Sequence, residues 1–176
     1  MKVTTRASCA DPSDPLALTV DQAKTAIRDA LTPLVGDQQV AIRAALGRVL
    51  ATDCISPIDV PSHTNSAMDG YALAGSDLPK DGERDYRVIA TALAGQCITQ
   101  SCAPGECVRI MTGAPMPPGT DTVVMQEQAE RLDDEHVRLD ARHRSGQNVR
   151  QAGEDIRRGT RVFAAGRRLA PADLGV

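Results

Sequence analysis

Two textures of apolar spacing divide this chain. Ala23, Ala26, Ile27, Ala30 and Leu31 recur at three- and four-residue intervals, the signature of one face of an amphipathic helix. Thr19 stands where an N-cap belongs, and Pro33 stops the pattern. A shorter helix is predicted over 39–46, with Gly47 closing it. Both helices read as amphipathic segments that cover a core. From Val49 onward the pattern changes to short apolar runs broken by Gly, Pro and Asp. Residues 86–90, 106–110, 122–125, 137–139 and 160–163 are predicted strands, and 132–137 an acidic hairpin tip. The spacing of turns fits a β-rich unit of sandwich or barrel type rather than βαβ crossovers. Residues 1–16 carry two Asp-Pro pairs and little apolar content, and are expected to form a disordered arm. The last eight residues, Leu-Ala-Pro-Ala-Asp-Leu-Gly-Val, start like a helix with Pro at an early position. The chain is therefore expected to be the front portion of a longer protein.

Composition narrows the classes. At 176 residues the chain can bury a real core. Its only aromatic residues are Tyr71, Tyr86 and Phe163, so that core must be built from Ala, Val, Leu, Ile and Met. Few aromatic faces and a net charge of −3 argue against nucleic-acid binding. No run of about 18 apolar residues offers a membrane span. The five cysteines (Cys9, Cys54, Cys97, Cys102 and Cys107) form no Cys-x-x-Cys pair and have no nearby His to complete a zinc set. They read as reduced thiols of a soluble, cytoplasmic protein.

Three segments carry candidate chemistry. The first is Asn65-Ser66-Ala67-Met68-Asp69-Gly70-Tyr71, approached through Pro61. Ser and Asn can bond their own backbone, and Gly70 permits positive φ just after Asp69, so one carboxylate is expected on a rigid, crowded backbone. The second runs Arg109-Ile110-Met111-Thr112-Gly113-Ala114-Pro115. Such a turn presents Thr112 Oγ and backbone N–H groups to an anion, or is simply a proline-rich hairpin loop. The third is Gly146-Gln147-Asn148-Val149-Arg150, continuing to Gly153-Glu154-Asp155-Ile156. Asp69 and Asp155 could together hold one Mg²⁺, or each could serve its own turn beside glycine. Spacing leaves both readings open. No Gly-x-Ser-x-Gly elbow accompanies His63 and Ser66, so a nucleophilic triad is not expected. His136 and His143 lie in polar stretches and are expected to be exposed.

In order and spacing, these segments resemble the molybdopterin molybdenumtransferase family, which includes bacterial MoeA and the gephyrin E domain. Residues 45–51 (Ala-Leu-Gly-Arg-Val-Leu-Ala), 56–61 (Ser-Pro-Ile-Asp-Val-Pro) and 123–127 (Val-Val-Met-Gln-Glu) extend the resemblance from about Leu18 to Val176. The resemblance implies a β-rich α+β fold of coiled, bifurcated sheets with a few helices and two sub-domains. One sub-domain would comprise 34–56 plus 145–176, and the other, inserted and β-rich, 57–144. The helix at 17–33 would pack on an α/β domain beyond this chain. The activity implied is transfer of molybdate into adenylylated molybdopterin with release of AMP, in molybdenum cofactor biosynthesis, assisted by Mg²⁺. Asp69, Thr112 and Asp155 correspond to catalytic positions; Asn65, Ser66, Gly113 and Arg150 to substrate-binding ones; Asp69 and Asp155 to the Mg²⁺ ligands. Asp69 and Asp155 would organise metal or water while Thr112 and nearby N–H groups steady an oxyanion. The family also implies a homodimer at full length and a molybdopterin adenylyltransferase as partner. The fragment alone is expected to be inactive, and a non-catalytic dimerisation or docking module is the competing reading. Gln151-Ala152 stand where relatives carry further basic residues, which implies altered affinity for an anionic pterin.

Overall fold

The computed structural model describes residues 18–32 and 35–176. The expected arm at 1–16, Cys9 and the helix stop at Pro33 lie outside the described residues. Two compact units result, 1–44 and 45–176. In the first, α1 (Val20–Ala30) begins as predicted: Thr19 Oγ1 accepts from the Gln22 N–H, and Gln22 Oε1 accepts in return from the Thr19 N–H. None of its residues is buried, so the expectation that it covers a core is corrected. The second helix is corrected too. It shrinks to one 3-10 turn, Ile42–Ala44. Eight residues nucleate a helix poorly without packing, and from Gly47 the backbone is taken by residues 166–169, with Gly47 N–H donating to Leu169 O and Leu50 N–H to Arg167 O.

The second unit holds ten strands: β1 (Cys54–Ile55), β2 (Asn65–Ser66), β3 (Gly70–Leu73), β4 (Glu83–Ala92), β5 (Glu106–Ile110), β6 (Thr122–Met125), β7 (Glu130–Arg131), β8 (His136–Asp140), β9 (Val149–Arg150) and β10 (Arg161–Phe163). Six form one mixed sheet in the order β6-β3-β5-β4-β8-β7, in which only β4 and β5 run parallel. The rest form two short antiparallel pairs, β1 with β10 and β2 with β9. The fold is a β-rich α+β arrangement of mixed sheets with few helices, as expected. Every predicted strand is present, and 132–135 is the turn of the β7–β8 hairpin.

Both faces of the large sheet are apolar. Tyr71, Leu73, Tyr86, Cys107, Val124, Val137 and Leu139 pack on one side; Ala72, Ala92, Val108, Ile110, Ala114 and Val123 pack on the other. This two-sided burial explains why β6 reads as a nearly continuous apolar run rather than an alternating one. Small Ala and Val side chains suit a sheet with few aromatics. Tyr86 is fully buried, and its hydroxyl donates to Asp77 O.

Sequence spacing did not reveal β1, β2, β3, β7 or β9, and of these β3 sits inside the large sheet, between β5 and β6. Gly70 is needed there for a different reason from the one expected. It is not among the residues with positive φ; a Cβ on it would lie 2.0 Å from the backbone oxygen of Val124. Only a glycine lets β6 come this close.

Candidate active site

The register of β3 and β5 builds the first half of the site. The two strands are antiparallel, with Gly70 opposite Ile110, so the residue entering β3 lies beside the turn leaving β5. Asp69 and Thr112 meet in this way. Asp69 Oδ1 accepts from the Thr112 N–H and from Thr112 Oγ1, each at 2.7 Å. The backbone donor first, then the hydroxyl, holds the Asp69 carboxyl below its ordinary pKa; the nearby charge of Arg109 adds to this. Asp69 is half-buried and Thr112 exposed. The backbone oxygen of Asp69 accepts from the Gln126 N–H at 3.1 Å, which fixes the acid to the end of β6 as well.

The second half is a three-layer backbone ladder. β2 lies in the middle: Asn65 pairs with Arg150 and Ser66 with Val149 on one edge. On the other, Ser66 N–H donates to Ala114 O at 3.0 Å, Gly113 N–H donates to Ser66 O at 2.8 Å, and Asn65 bridges to Pro115. The three sequence segments therefore converge on one another. Asn65 and Ser66 are buried. The Ser66 hydroxyl accepts from the Met68 N–H and donates to Met68 O, bracing the loop that carries Asp69. Gly113 has φ 79°, the left-handed conformation that glycine adopts most readily. Asn148, at φ 56°, donates through Nδ2 to Val123 O at 2.9 Å and so ties the third segment to β6.

Asp155 is held differently. Its Oδ2 accepts from Arg150 Nη2 at 2.5 Å, while Glu154 takes Arg150 Nε at 3.4 Å. Its backbone N–H donates to Val60 O at 2.9 Å, beside the cis Val60–Pro61 peptide. Among the described residues, no direct hydrogen bond or ion pair joins Asp155 to Asp69. The link runs through Arg150 and its backbone partner Asn65.

A sequence model of the family described as MoeA N-terminal region (domain I and II) matches residues 18–176. The chain belongs to this family. Over 157 residues it is 38% identical to the molybdopterin molybdenumtransferase of Haemophilus influenzae, an alignment covering 89% of this chain and 38% of that protein. Gephyrin of Dictyostelium discoideum is 34% identical over 154 residues, 79% of this chain and 21% of that one. The crystal structure of the molybdopterin biosynthesis moeA protein of Pyrococcus horikoshii OT3 superposes with a TM-score of 0.73 at 30% identity, covering 78% of this chain and 37% of that chain. The chain thus spans about two-fifths or less of the length of these relatives.

In this MoeA-family unit the remaining candidates fall away from the site. His136 is partly exposed and pairs with Asp133 at 3.0 Å. The expected exposure of His143 is corrected: its side chain is 2% exposed, and burial pushes its pKa down. Its ring lies beside Asp140, at 3.6 Å, and Gln147, at 3.2 Å, polar neighbours that local sequence already showed without showing the burial. Cys54 and Cys97 are exposed free thiols, whereas Cys102 and Cys107 are buried, with burial pushing their pKa values up to about 11 and about 12. Gln151 turns to Thr64, whose hydroxyl donates to Gln151 Oε1 at 3.4 Å. Sequence reasoning assigned no role to Arg109; the signal was a lone cation inside the apolar strand Glu-Cys-Val-Arg-Ile. No helix among the described residues is long and apolar enough to cross a membrane.

Proposed function

We propose that this chain is the N-terminal portion of a molybdenum insertase, in which transfer of molybdate into adenylylated molybdopterin releases AMP. Family membership and the names of the relatives support the pathway. The observation that carries the assignment to this surface is the Asp69–Thr112 pair at the convergence of three separate segments. Asp69, kept ionised, is the acid that positions water or a cation near the reacting phosphoryl group. Thr112 spends both donors on Asp69, so it orients that carboxylate rather than steadying an oxyanion itself. Asp155 and Arg150 form the second polar group of the same surface, and Asn65, Ser66 and Gly113 are its frame.

Mg²⁺ fits these residues as an ion shared with substrate. Among the described residues no three His, Cys, Asp or Glu stand together as a metal cluster. Asp69 Oδ1 and Asp155 Oδ2 are taken by Thr112 and Arg150, which leaves each carboxylate one oxygen. Mg²⁺ commonly takes one or two carboxylates and fills its other positions with water and phosphate. When bound, it would neutralise charge on the phosphoryl oxygens.

We read 57–144 as an inserted sub-domain whose ends are closed by the β1–β10 pair and by Val49 facing Arg168, with 34–56 and 145–176 as its partner. The rest of the substrate site, a cytoplasmic homodimer and an adenylyltransferase partner belong to the longer protein, and the isolated chain is inactive on this reading. The bare apolar residues of α1, Val20 and Ile27 among them, favour a second role for this chain in docking or dimerisation. The test is Asp69→Asn in the full-length protein, with AMP release and molybdenum insertion measured together. Insertion is expected to fall at least about 100-fold with the fold retained. Full turnover would reject the catalytic reading and leave the docking one.

A further inference from the structure

Three arginines are half-buried among the described residues: Arg109, Arg138 and Arg150. Two have their charge met at once. Arg138 Nε donates to Asp85 at 2.7 Å, with Glu83 and Glu130 within 4 Å. Arg150 is held by Asp155 and Glu154. The Arg109 side chain makes no hydrogen bond or ion pair among the described residues, and its charge is felt by Asp69. None of its guanidinium nitrogens is among the fully buried polar atoms that lack a partner, so the head group keeps access to solvent. Its five N–H donors stay unspent.

Strand register says where those donors stand. Arg109 lies opposite Tyr71 on β3 and opposite Thr91 on β4. Alternation along β5 puts Val108 and Ile110 on one face of the sheet and Arg109 on the other, with Tyr71. Asp69 is two residues before Tyr71 and Thr112 three after Arg109, so the arginine sits at the sheet end that carries the candidate acid.

The turn after β5 cannot do the anion-binding expected of it. Met111 N–H donates to Ala92 O, Thr112 N–H to Asp69, Gly113 N–H to Ser66 O and Ala114 N–H to Met111 O. The Thr112 hydroxyl donates to Asp69 as well. Every backbone donor from 111 to 114 is spent inside the fold. An anionic substrate approaching Asp69 therefore needs a cation from elsewhere, both to bind and to offset repulsion by that carboxylate.

We infer that Arg109 is an anion-binding residue of the Asp69–Thr112 site and takes a tetrahedral oxyanion, either a phosphoryl group or molybdate. Naming those two ions rests on the insertase reading; the anion site itself does not. A guanidinium offers two parallel N–H donors to such an oxyanion.

The test is an NMR titration of the arginine Nε–Hε signals of this chain, with inorganic phosphate and molybdate as separate probes and chloride as the ionic-strength control. Arg109 is expected to shift saturably with at least one oxyanion while Arg138 and Arg150 hold still, and Arg109→Gln is expected to weaken that binding at least tenfold. A response to phosphate alone identifies a phosphoryl site, and a response to molybdate alone an oxyanion-substrate site. No saturable shift at Arg109, or equal drift of all arginines with chloride, overturns the inference. The wild-type titration decides even where Arg109→Gln fails to fold. The function is tested apart from this: Asp69→Asn retaining insertion would reject the insertase reading while leaving a responsive Arg109 intact, and a silent Arg109 would leave the insertase reading standing.

Discussion

The start of β3 and the loop beyond β9 each present an acid within two residues of a glycine, but they fix it by opposite means. Asp69 is oriented by two neutral donors from one residue, at the edge of a sheet packed on both faces. Asp155 is oriented by a cation, on a partly exposed loop whose backbone leans on Val60. Neutral donors hold a carboxylate in place and leave its charge to act on something else. A guanidinium holds it and cancels that charge. The contrast assigns the free negative charge of the site to Asp69 and a framing task to the Arg150–Asp155 pair.

The largest effect should come from breaking the sheet that carries Asp69. Gly70→Ala drives a methyl group into the Val124 carbonyl, and the backbone cannot yield without parting β3 from β6. A loss of about 3 kcal/mol or more in urea unfolding is expected. Wild-type stability in this variant would mean that β3 does not sit inside the sheet.

A smaller effect sharpens the role of Thr112. Thr112→Ser keeps both donors and should preserve insertion in the full-length protein, whereas Thr112→Val removes the hydroxyl donor and should cost about tenfold. The acid limb follows from the sign of the shift. The folded-state pKa of Asp69 lies below its unfolded value, so its contribution to stability is present above the ordinary carboxylate range. It is lost as pH falls through the lowered value. The stability deficit of Thr112→Val should therefore be seen at neutral pH and fade in acid. A deficit independent of pH would point to lost packing instead.

The smallest effect is expected at the loop. Arg150→Gln breaks an ion pair whose two side chains are 37% and 51% exposed, and pairs so open to water contribute little because solvent and salt screen them. The urea midpoint should move little, and less still at high salt. A large, salt-insensitive loss would overturn the division of labour drawn above.

What the sequence made legible follows the same contrast. Strands with a clear apolar run and flanking turns, such as Thr122–Met125 and Glu106–Ile110, were readable because local pattern and tertiary burial agree. Gly70–Leu73 was not, because its first residue looks like a turn and its need for glycine arises from a strand more than fifty positions away. The helix expected at 39–46 failed for a related reason: residues 166–169 take over the backbone from Gly47. The candidate acids were found from motifs, yet the direction of each hydrogen bond was not. Whether Thr112 faces an oxyanion or Asp69 depends on the register of β3 against β5, which no local spacing encodes.

The most direct test of the account is a ¹³C carboxyl titration of Asp69 in the wild-type chain and in Thr112→Val. The account predicts a wild-type midpoint below the ordinary aspartate value and a clear upward move in the variant. An ordinary midpoint that Thr112→Val leaves unchanged would contradict it, because Asp69 would then not be held by Thr112.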